Sequence, residues 1–232
     1  MALNNRFIDV IIPAYNEEDS IGNVIADIPS ELVREIIVCN NGSTDGTAAR
    51  ASSYGATVLD QPLSGYGNAC LKGIEHLDHK SEKPGIVVFL DGDYSDYPEE
   101  LPSVVNPIID EDYDMVIGSR ATGDLERGAM KPQQIFGNWL ATTLIRMIYK
   151  YEFTDLGPFR AIKYEALKSL NMEDKDFGWT VEMQVKAAKH GLKCTEVPVK
   201  YRKRIGQSKV SGTIKGTILA GHKILWTIFK LI

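Results

Sequence analysis

The feature that most constrains the fold is a repeated alternation of short apolar runs with stretches of helical spacing. Four runs rich in β-branched residues occupy 8–12, 35–39, 85–90 and 114–118. Each run is followed by a polar turn and then by apolar residues at helical spacing. The apolar residues are nearly continuous, as in strands that helices cover on both faces. The chain is therefore predicted to adopt an α/β fold with a mostly parallel central sheet flanked by helices.

The same spacing places the helices and divides the chain. Helices are predicted over 17–28, 45–54, 66–80, 99–110, 132–150, 164–170, 179–190 and 212–230. A length of 232 residues suits one large domain with an appendage. We assign the domain to 1–211 and the appendage to a C-terminal amphipathic helix at 212–232.

The C-terminal helix has two interpretations. Apolar residues recur at helical spacing between Ile214 and Ile232, and Lys215, Lys223 and Lys230 interrupt them. A terminal helix packed on its own domain explains this pattern. A helix that lies at a membrane interface explains it equally well, because such helices combine basic residues with Trp and Phe.

Composition excludes some functions and predicts the compartment. The net charge of -5 leaves no global basic field, so nucleic acid is not expected as a partner. The three cysteines form no CxxC pair, which predicts reduced thiols. The first residues lack the pattern of a signal peptide. We expect a cytoplasmic protein, which the C-terminal helix would bring to the cytosolic membrane face.

Polar loops follow three of the predicted strands, at 13–18, 40–46 and 91–96. Ligands of open α/β sheets bind at the carboxyl ends of the strands, so these loops are candidate binding segments. Ordinary turn and helix-cap chemistry also explains the first two. In the third, Asp91 and Asp93 point to the same side of an extended segment, and their oxygens suit Mg²⁺ or Mn²⁺. A solvated acidic turn is the alternative.

Two other segments are informative. The glycine-rich run 65–73 differs from a dinucleotide motif, because Cys70 stands at the third glycine position. The basic run 200–209 contains no acidic residue in a chain of negative net charge. The aperiodic segment 121–132 predicts an exposed loop, for which a lid is one interpretation.

Taken together, the motifs resemble the family 2 glycosyltransferases of the GT-A fold. The similarity is greatest to the branch that contains dolichol-phosphate mannose synthase and other polyprenyl-phosphate glycosyltransferases. It extends over about 8–212 and rests on 10–18, 41–47, Asp91-Gly-Asp93, 118–120, 154–155 with 159–161, and 201–209.

The resemblance implies a role for particular residues. It places a nucleotide pocket at Pro13, Ala14, Tyr15, Glu17 and Asn40. It implies a metal site, for Mg²⁺ or Mn²⁺, at Asp91 and Asp93. It implies contacts to donor or acceptor phosphates from Arg120, Arg202, Ser208 and Lys209. Arginine, lysine and a divalent cation together neutralise a departing nucleoside diphosphate.

The chain also departs from the family pattern at several positions. Asn40 and Asn41 stand where two aspartates are usual, which opens the question of base preference. Tyr66 replaces a basic residue, and Ser95 occupies a position beside the metal, so metal affinity is expected to differ. The segment 154–160 departs as well, which leaves the sugar and acceptor open.

The predicted function is an inverting, metal-dependent transfer of a sugar from a nucleotide-diphosphate sugar to a polyprenyl phosphate at the membrane. An acceptor phosphate is already anionic and needs no general base. If the acceptor is instead a saccharide hydroxyl, a carboxylate must accept its proton, and Glu182 and Asp155 are the candidates. A non-catalytic nucleotide-sugar-binding module is the third hypothesis, and a reductase on a dinucleotide fold is disfavoured by its broken motif.

Overall fold

The computed structural model describes residues 7–206 and 214–232. Within these ranges the strands are β1 (Ile8–Ala14), β2 (Val33–Asn40), β3 (Thr57–Asp60), β4 (Ile86–Phe89), β5 (Met115–Ser119), β6 (Arg160–Lys163) and β7 (Cys194–Pro198). The helices are α1 (Glu18–Asp27), α2 (Thr47–Ser53), α3 (Tyr66–His79), α4 (Leu101–Glu111), α5 (Pro132–Tyr149), α6 (Tyr164–Leu170), α7 (Trp179–Lys189) and α8 (Ile214–Lys230). The four predicted strands and the eight predicted helices are confirmed to within a few residues.

The strands form one sheet in the order β3-β2-β1-β4-β6-β5-β7. β1 pairs in parallel with β2 and β4, and β5 pairs in parallel with β7. β6 lies between β4 and β5 and is antiparallel to both. The prediction of a mostly parallel sheet is confirmed. Three strands were not predicted, namely β3, β6 and β7, because each is only four or five residues long and includes a charged residue, so none forms a continuous apolar run.

Apolar layers cover both faces of the sheet. All seven residues of β1 are buried, and they alternate between the layers: Ile11 faces the layer of α3, α5 and α7, whereas Val10 and Ile12 face the layer of α1 and α4. This burial on both faces explains the continuous apolar run of the strand. The sheet thereby holds the loops at its carboxyl edge in fixed positions.

The C-terminal helix packs against the layer that contains α5 and α7. Ile228 of α8 is fully buried, and its carbonyl oxygen accepts a hydrogen bond from Tyr149 Oη at 2.6 Å. Among the described residues, no helix is long and apolar enough to cross a bilayer. The assigned boundary at 211/212, together with Ser208 and Lys209, lies outside the described residues.

Candidate active site

Two adjoining cavities lie at the carboxyl edge of the sheet. The smaller has a volume of about 320 Å³ and the larger about 670 Å³. Parallel strands end at the same edge, so the loops after β1, β2 and β4 converge there. Five residues line both cavities: Tyr66, Asp91, Asp93, Phe177 and Arg204. The two aspartates predicted from the sequence therefore lie on the wall that the cavities share.

The smaller cavity collects the loop after β1. Pro13, Ala14, Tyr15 and Glu17 line it together, as the prediction of a common pocket requires. From the loop after β2, it is Asn41 that reaches this cavity. Asn40 instead donates to Asp60 Oδ1 at 2.9 Å and accepts from the Ser43 backbone N–H, and it lines neither cavity.

Asn41 organises the wall of the smaller cavity. Its Nδ2 donates to the carbonyl oxygens of Gln61 and Leu63, and its Oδ1 accepts from the Gly65 N–H at 2.8 Å. A carboxylate has no donor and could not bond to the two carbonyl groups. The Asn at position 41, where the family usually has an aspartate, therefore stabilises the loop 61–65. Both the donor and the acceptor of its amide are used in hydrogen bonds to this loop.

The glycine-rich run 65–73 serves close packing. A Cβ on Gly65 would lie 2.2 Å from the Lys175 carbonyl oxygen, and one on Gly67 would lie 1.9 Å from the Asp174 carbonyl oxygen. Gly65 also has φ +131°, a conformation that L side chains rarely adopt. The glycines thus let the loop 171–178 lie directly on the start of α3, which brings Phe177 to the wall between the cavities.

Asp91 is held by a tyrosine. The Tyr66 hydroxyl donates to Asp91 Oδ1 at 2.9 Å. Burial, together with the neighbouring charge of Asp93, raises the pKa of Asp91 to about 7. Carboxylates packed in this way are stabilised by a cation, and that requirement is consistent with a metal site.

Asp93 is buried, and both of its carboxylate oxygens have partners within the protein. Its Oδ1 accepts from the backbone N–H of Ser95 at 2.9 Å and from the Ser95 hydroxyl. Its Oδ2 lies 3.0 Å from Arg204 Nη1. Ser95 therefore orients the carboxylate, and Arg204 supplies the positive charge beside it.

The donor set fits a cation that shares its ligands with a substrate. No group of three or more His, Cys, Asp or Glu residues that could hold a metal occurs within the described ranges. Two carboxylates are nevertheless sufficient for Mg²⁺ or Mn²⁺, because these ions commonly take the remaining oxygens from substrate phosphates and water.

Arg204 was not singled out from the sequence. Its guanidinium bridges two loops, with Nη2 at 2.6 Å from Glu17 Oε1 and Nη1 beside Asp93. The predicted Arg202 lies elsewhere: it donates to the carbonyl oxygens of Tyr94 and Asp96 and lines neither cavity. Two tyrosine rings and two backbone carbonyls hold Arg202 in the layer behind the cavities, and its contact with a donor or acceptor phosphate stays a prediction.

Arg120 lines the larger cavity, and the buried carboxylate of Asp155 holds its guanidinium in place. Asp155, which is 1% exposed, accepts from Arg120 Nε at 2.8 Å and from Nη2 at 2.7 Å. Burial lowers the pKa of Arg120, but the charge of Asp155 and its hydrogen bonds raise the pKa of Arg120 further, so the net result lies well above the ordinary value. Such a bidentate pair holds the guanidinium in one orientation. Asp155 is thus occupied by Arg120 and is not positioned as a proton acceptor.

Glu182 does not face the cavities. Its carboxylate accepts from the backbone N–H groups of Glu173 and Asp174, and it pairs with Lys186 at 2.7 Å. These contacts occupy the carboxylate within the protein, and the role of Glu182 as a general base stays a prediction. The residue stabilises the loop that carries Phe177.

The larger cavity is cationic and bordered by helices. Arg120, Lys131, Lys203 and Arg204 line it, and Asp91 and Asp93 are its only acidic residues in the described part of the chain. Residues 128–131 of the predicted exposed loop form part of its wall, as do Gly137 of α5 and Gly221 of α8. The lining of the larger cavity therefore combines positively charged side chains, of the kind that bind phosphate, with residues of helices α5 and α8.

Comparisons with known proteins give a consistent result. The family model described as "Glycosyl transferase family 2" matches residues 9–170. Glycosyltransferase AglJ of Haloferax volcanii is 35% identical over 196 residues, which are 84% of this chain and 63% of that protein. The chain thus spans less than two thirds of the length of this relative. A dolichyl-phosphate hexose transferase of the same organism is 32% identical over 203 residues, 87% of this chain and 85% of that protein.

A solved structure shares the fold. Glucosyl-3-phosphoglycerate synthase from Mycobacterium tuberculosis, in complex with Mn²⁺, uridine diphosphate and glucosyl-3-phosphoglycerate, matches with a TM-score of 0.77 at 23% identity. The match covers 97% of this chain and 80% of that one.

Proposed function

Since the chain belongs to glycosyl transferase family 2, we propose that it transfers a hexose from a nucleotide-diphosphate sugar to a polyprenyl phosphate. The observation that carries the proposal is the shared wall between the cavities. Asp91 and Asp93 border both, so a donor in the smaller cavity and an acceptor in the larger one meet at these carboxylates. The name of the dolichyl-phosphate hexose transferase supports the same acceptor class.

The donor is proposed to lie along the loop after β1. Pro13, Ala14, Tyr15 and Glu17 surround the nucleotide, and its diphosphate reaches Asp91 and Asp93. Mg²⁺ or Mn²⁺ held by these two residues supplies charge neutralisation for the diphosphate. Arg204 and Arg120 add fixed positive charge on the side of the larger cavity.

The charge pattern of the larger cavity favours a phosphate acceptor over a hydroxyl. A hydroxyl must lose a proton, yet Asp155 is paired with Arg120 and Glu182 is bonded to the loop 173–174. A phosphate monoester is already anionic and is attracted by Arg120, Lys131 and Lys203.

The reaction then proceeds in one step with inversion. An acceptor phosphate oxygen forms a bond to the anomeric carbon while the bond from that carbon to the donor phosphate oxygen breaks. The electron pair leaves with the nucleoside diphosphate, and no proton is transferred. The residues of the chain position the two phosphates and neutralise the leaving group.

The proposal is tested by a transfer assay with a panel of UDP-, GDP- and dTDP-hexoses, Mn²⁺ or Mg²⁺, and a polyprenyl phosphate in detergent. We expect a glycosyl phosphate product, detected by mass spectrometry, from wild type but not from Asp93→Ala. The unphosphorylated polyprenol is the matched acceptor control. Donor binding without product for every acceptor would instead support a non-catalytic module.

A phosphorylated small molecule is the second candidate acceptor. The structural similarity to glucosyl-3-phosphoglycerate synthase motivates it, together with the cationic lining of the larger cavity. Adding 3-phosphoglycerate to the same assay distinguishes the two. Product with 3-phosphoglycerate and none with polyprenyl phosphate would replace the first proposal.

A further inference from the structure

The acidic residues that line the smaller cavity differ in their partners within the protein. Among the described residues there are four: Glu17, Asp91, Asp93 and Asp176. The first three accept hydrogen bonds from neighbouring side chains. Asp176 is half-buried and receives neither a hydrogen bond nor an ion pair from any side chain that the structure describes. Its carboxylate is therefore available to a ligand in this cavity.

The loop 171–178 fixes the place of Asp176. The preceding carbonyl oxygen, that of Lys175, accepts from the backbone N–H of Asn68 at the start of α3, at 3.0 Å. The backbone N–H of Asp176 donates to Asp174 Oδ1 at 2.8 Å, and Asp174 Oδ2 pairs with Lys223 of α8 at 2.8 Å. The backbone at Asp176 is thus tied to two helices, while Asp174 takes the neighbouring cation.

Asp176 lies in the part of the smaller cavity that the larger cavity does not share. Asp91 and Asp93, where we place the diphosphate of the donor, line both cavities, whereas Asp176 and Asn41 line only the smaller one. The nucleoside of a donor placed in this way extends toward Asp176 and Asn41. An ionised carboxylate only accepts hydrogen bonds. A nucleoside offers two kinds of donor to it, the N–H groups of the base and the hydroxyl groups of the ribose.

Asn41 does not supply a charged acceptor at this end of the cavity. It stands where the family usually has an aspartate, and its Nδ2 donates to two carbonyl oxygens of the loop 61–65 while its Oδ1 accepts from Gly65. The loop after β2 therefore contributes an amide that is already bonded within the protein. The carboxylate that lines the same part of the cavity comes from another segment, at Asp176.

We propose that the Asp176 carboxylate accepts a hydrogen bond from the nucleoside of the donor, at a base N–H or a ribose hydroxyl, and so contributes to the choice of nucleotide. The inference rests on the proposed function, which supplies a nucleotide-diphosphate sugar as the ligand of the smaller cavity. It makes Asp176 a binding residue, and the loop 171–178 part of the nucleotide site.

The proposal is tested by isothermal titration calorimetry of the full chain with UDP and with GDP, each in the presence of Mn²⁺. Two analogues of the tighter ligand distinguish the two kinds of donor group. The 2′,3′-dideoxy nucleotide lacks the ribose hydroxyls, and N3-methyl-UDP or N1-methyl-GDP lacks the base N–H. We expect wild type to bind one of these analogues roughly 10- to 100-fold more weakly than the parent nucleotide, the range for a hydrogen bond to a charged group.

Asp176→Ala should bind the parent nucleotide more weakly by a similar factor and should no longer distinguish it from that analogue. Asp176→Asn, which keeps an acceptor oxygen without the charge, should give an intermediate affinity. Glu173→Gln is the matched control, because Glu173 is an exposed acidic residue of the same loop that lines neither cavity. Its nucleotide affinity should equal that of wild type, and equal melting temperatures without nucleotide show that the variants are folded.

Three results would overturn the inference. Asp176→Ala could bind the parent nucleotide as tightly as wild type does, or wild type could bind both analogues as tightly as the parent. Asp176→Ala could also lose affinity for the parent and for both analogues by one common factor, which would indicate a structural role alone. The transfer assay tests the proposed function separately: wild type that distinguishes the analogues but forms no product would retain the inference and contradict the proposed transfer.

Discussion

Arg204 Nη1 lies 3.0 Å from Asp93 Oδ2, so the carboxylate proposed to hold a metal is paired with a cation of the protein itself. The same guanidinium contacts Glu17, on the loop that lines the smaller cavity. A divalent cation held by Asp93 would compete with Arg204 for this oxygen. The guanidinium that it displaces would then be available to the diphosphate of the donor.

Replacing Arg204 by Ala should change metal affinity and the rate of transfer in opposite directions. We expect tighter Mn²⁺ binding, because Asp93 Oδ2 loses its partner, and transfer slowed by roughly 100-fold, because a cation at the leaving group is lost. Mn²⁺ titration followed by electron paramagnetic resonance measures the first, and initial rates measure the second. Arg202→Ala is the control, since Arg202 lines neither cavity. Weaker Mn²⁺ binding in Arg204→Ala would contradict the competition.

Tyr66→Phe should weaken metal binding without unfolding the protein. The substitution removes only the hydroxyl that donates to Asp91 Oδ1. Partners that orient a metal ligand typically contribute about 10–100-fold to metal affinity, and the lower end is expected for one neutral hydroxyl. The same Mn²⁺ titration provides the measurement. Tyr164→Phe, which removes a hydroxyl bonded to Asp78 away from the cavities, should leave the affinity unchanged.

Glu182→Gln should retain transfer to a polyprenyl phosphate within about threefold. The residue caps the loop 173–174 and contacts Lys186, so the expected cost is in stability, about 1–3 kcal/mol for a buried charged acceptor. Denaturant unfolding measures that cost. Loss of turnover with donor binding preserved would instead identify Glu182 as a base and favour a hydroxyl acceptor.

Asp96→Asn should stabilise the metal-free protein increasingly as pH rises. Asp96 is 2% exposed, and neither of its carboxylate oxygens has a hydrogen-bond partner among the described residues. Burial, and then the charge of Asp91, raises its pKa well above the usual value. A carboxyl whose pKa is raised on folding contributes stability below its unfolded pKa near 4 and loses it as pH rises.

The measurement is the melting temperature of wild type and Asp96→Asn between pH 4 and pH 8 in the presence of a chelator. We expect the two proteins to differ least at pH 4 and most at pH 8. Asp110→Asn is an exposed control on α4. A difference that is independent of pH would show that Asp96 does not titrate as described.

Gly221→Leu should block the groove between α5 and α8. A Cβ at this position meets open space, so the backbone tolerates the change and the helix gains about 0.5–1 kcal/mol relative to glycine. Transfer to a long-chain polyprenyl phosphate should fall at least about tenfold, whereas donor binding should not change. Gly221→Ala, which adds one methyl group, is the graded control. Full activity of Gly221→Leu with the long acceptor would show that the polyprenyl chain of the acceptor does not lie in this groove.

Much of this protein follows from local pattern in the sequence. The nearly continuous apolar run 8–12 predicts a central strand because burial on both faces favours apolar side chains, and the one charged residue of the run, Asp9, is paired with Arg34 and Lys80. Asp91 and Asp93 line both cavities, as their position directly after a buried strand leads one to expect, and their role as metal ligands stays a prediction. Local periodicity and the end of a strand are properties that a sequence carries by itself.

Only the tertiary structure decided which residue of each irregular loop faces the site. Arg202 and Arg204 are two positions apart, as are strand residues that share a face, yet Arg202 is held by Tyr94 and Tyr97 and Arg204 reaches Asp93. Asn41 rather than Asn40 lines the smaller cavity because its amide closes the loop 61–65. Loops have no period, so the direction of their side chains is set by contacts with segments distant in the chain.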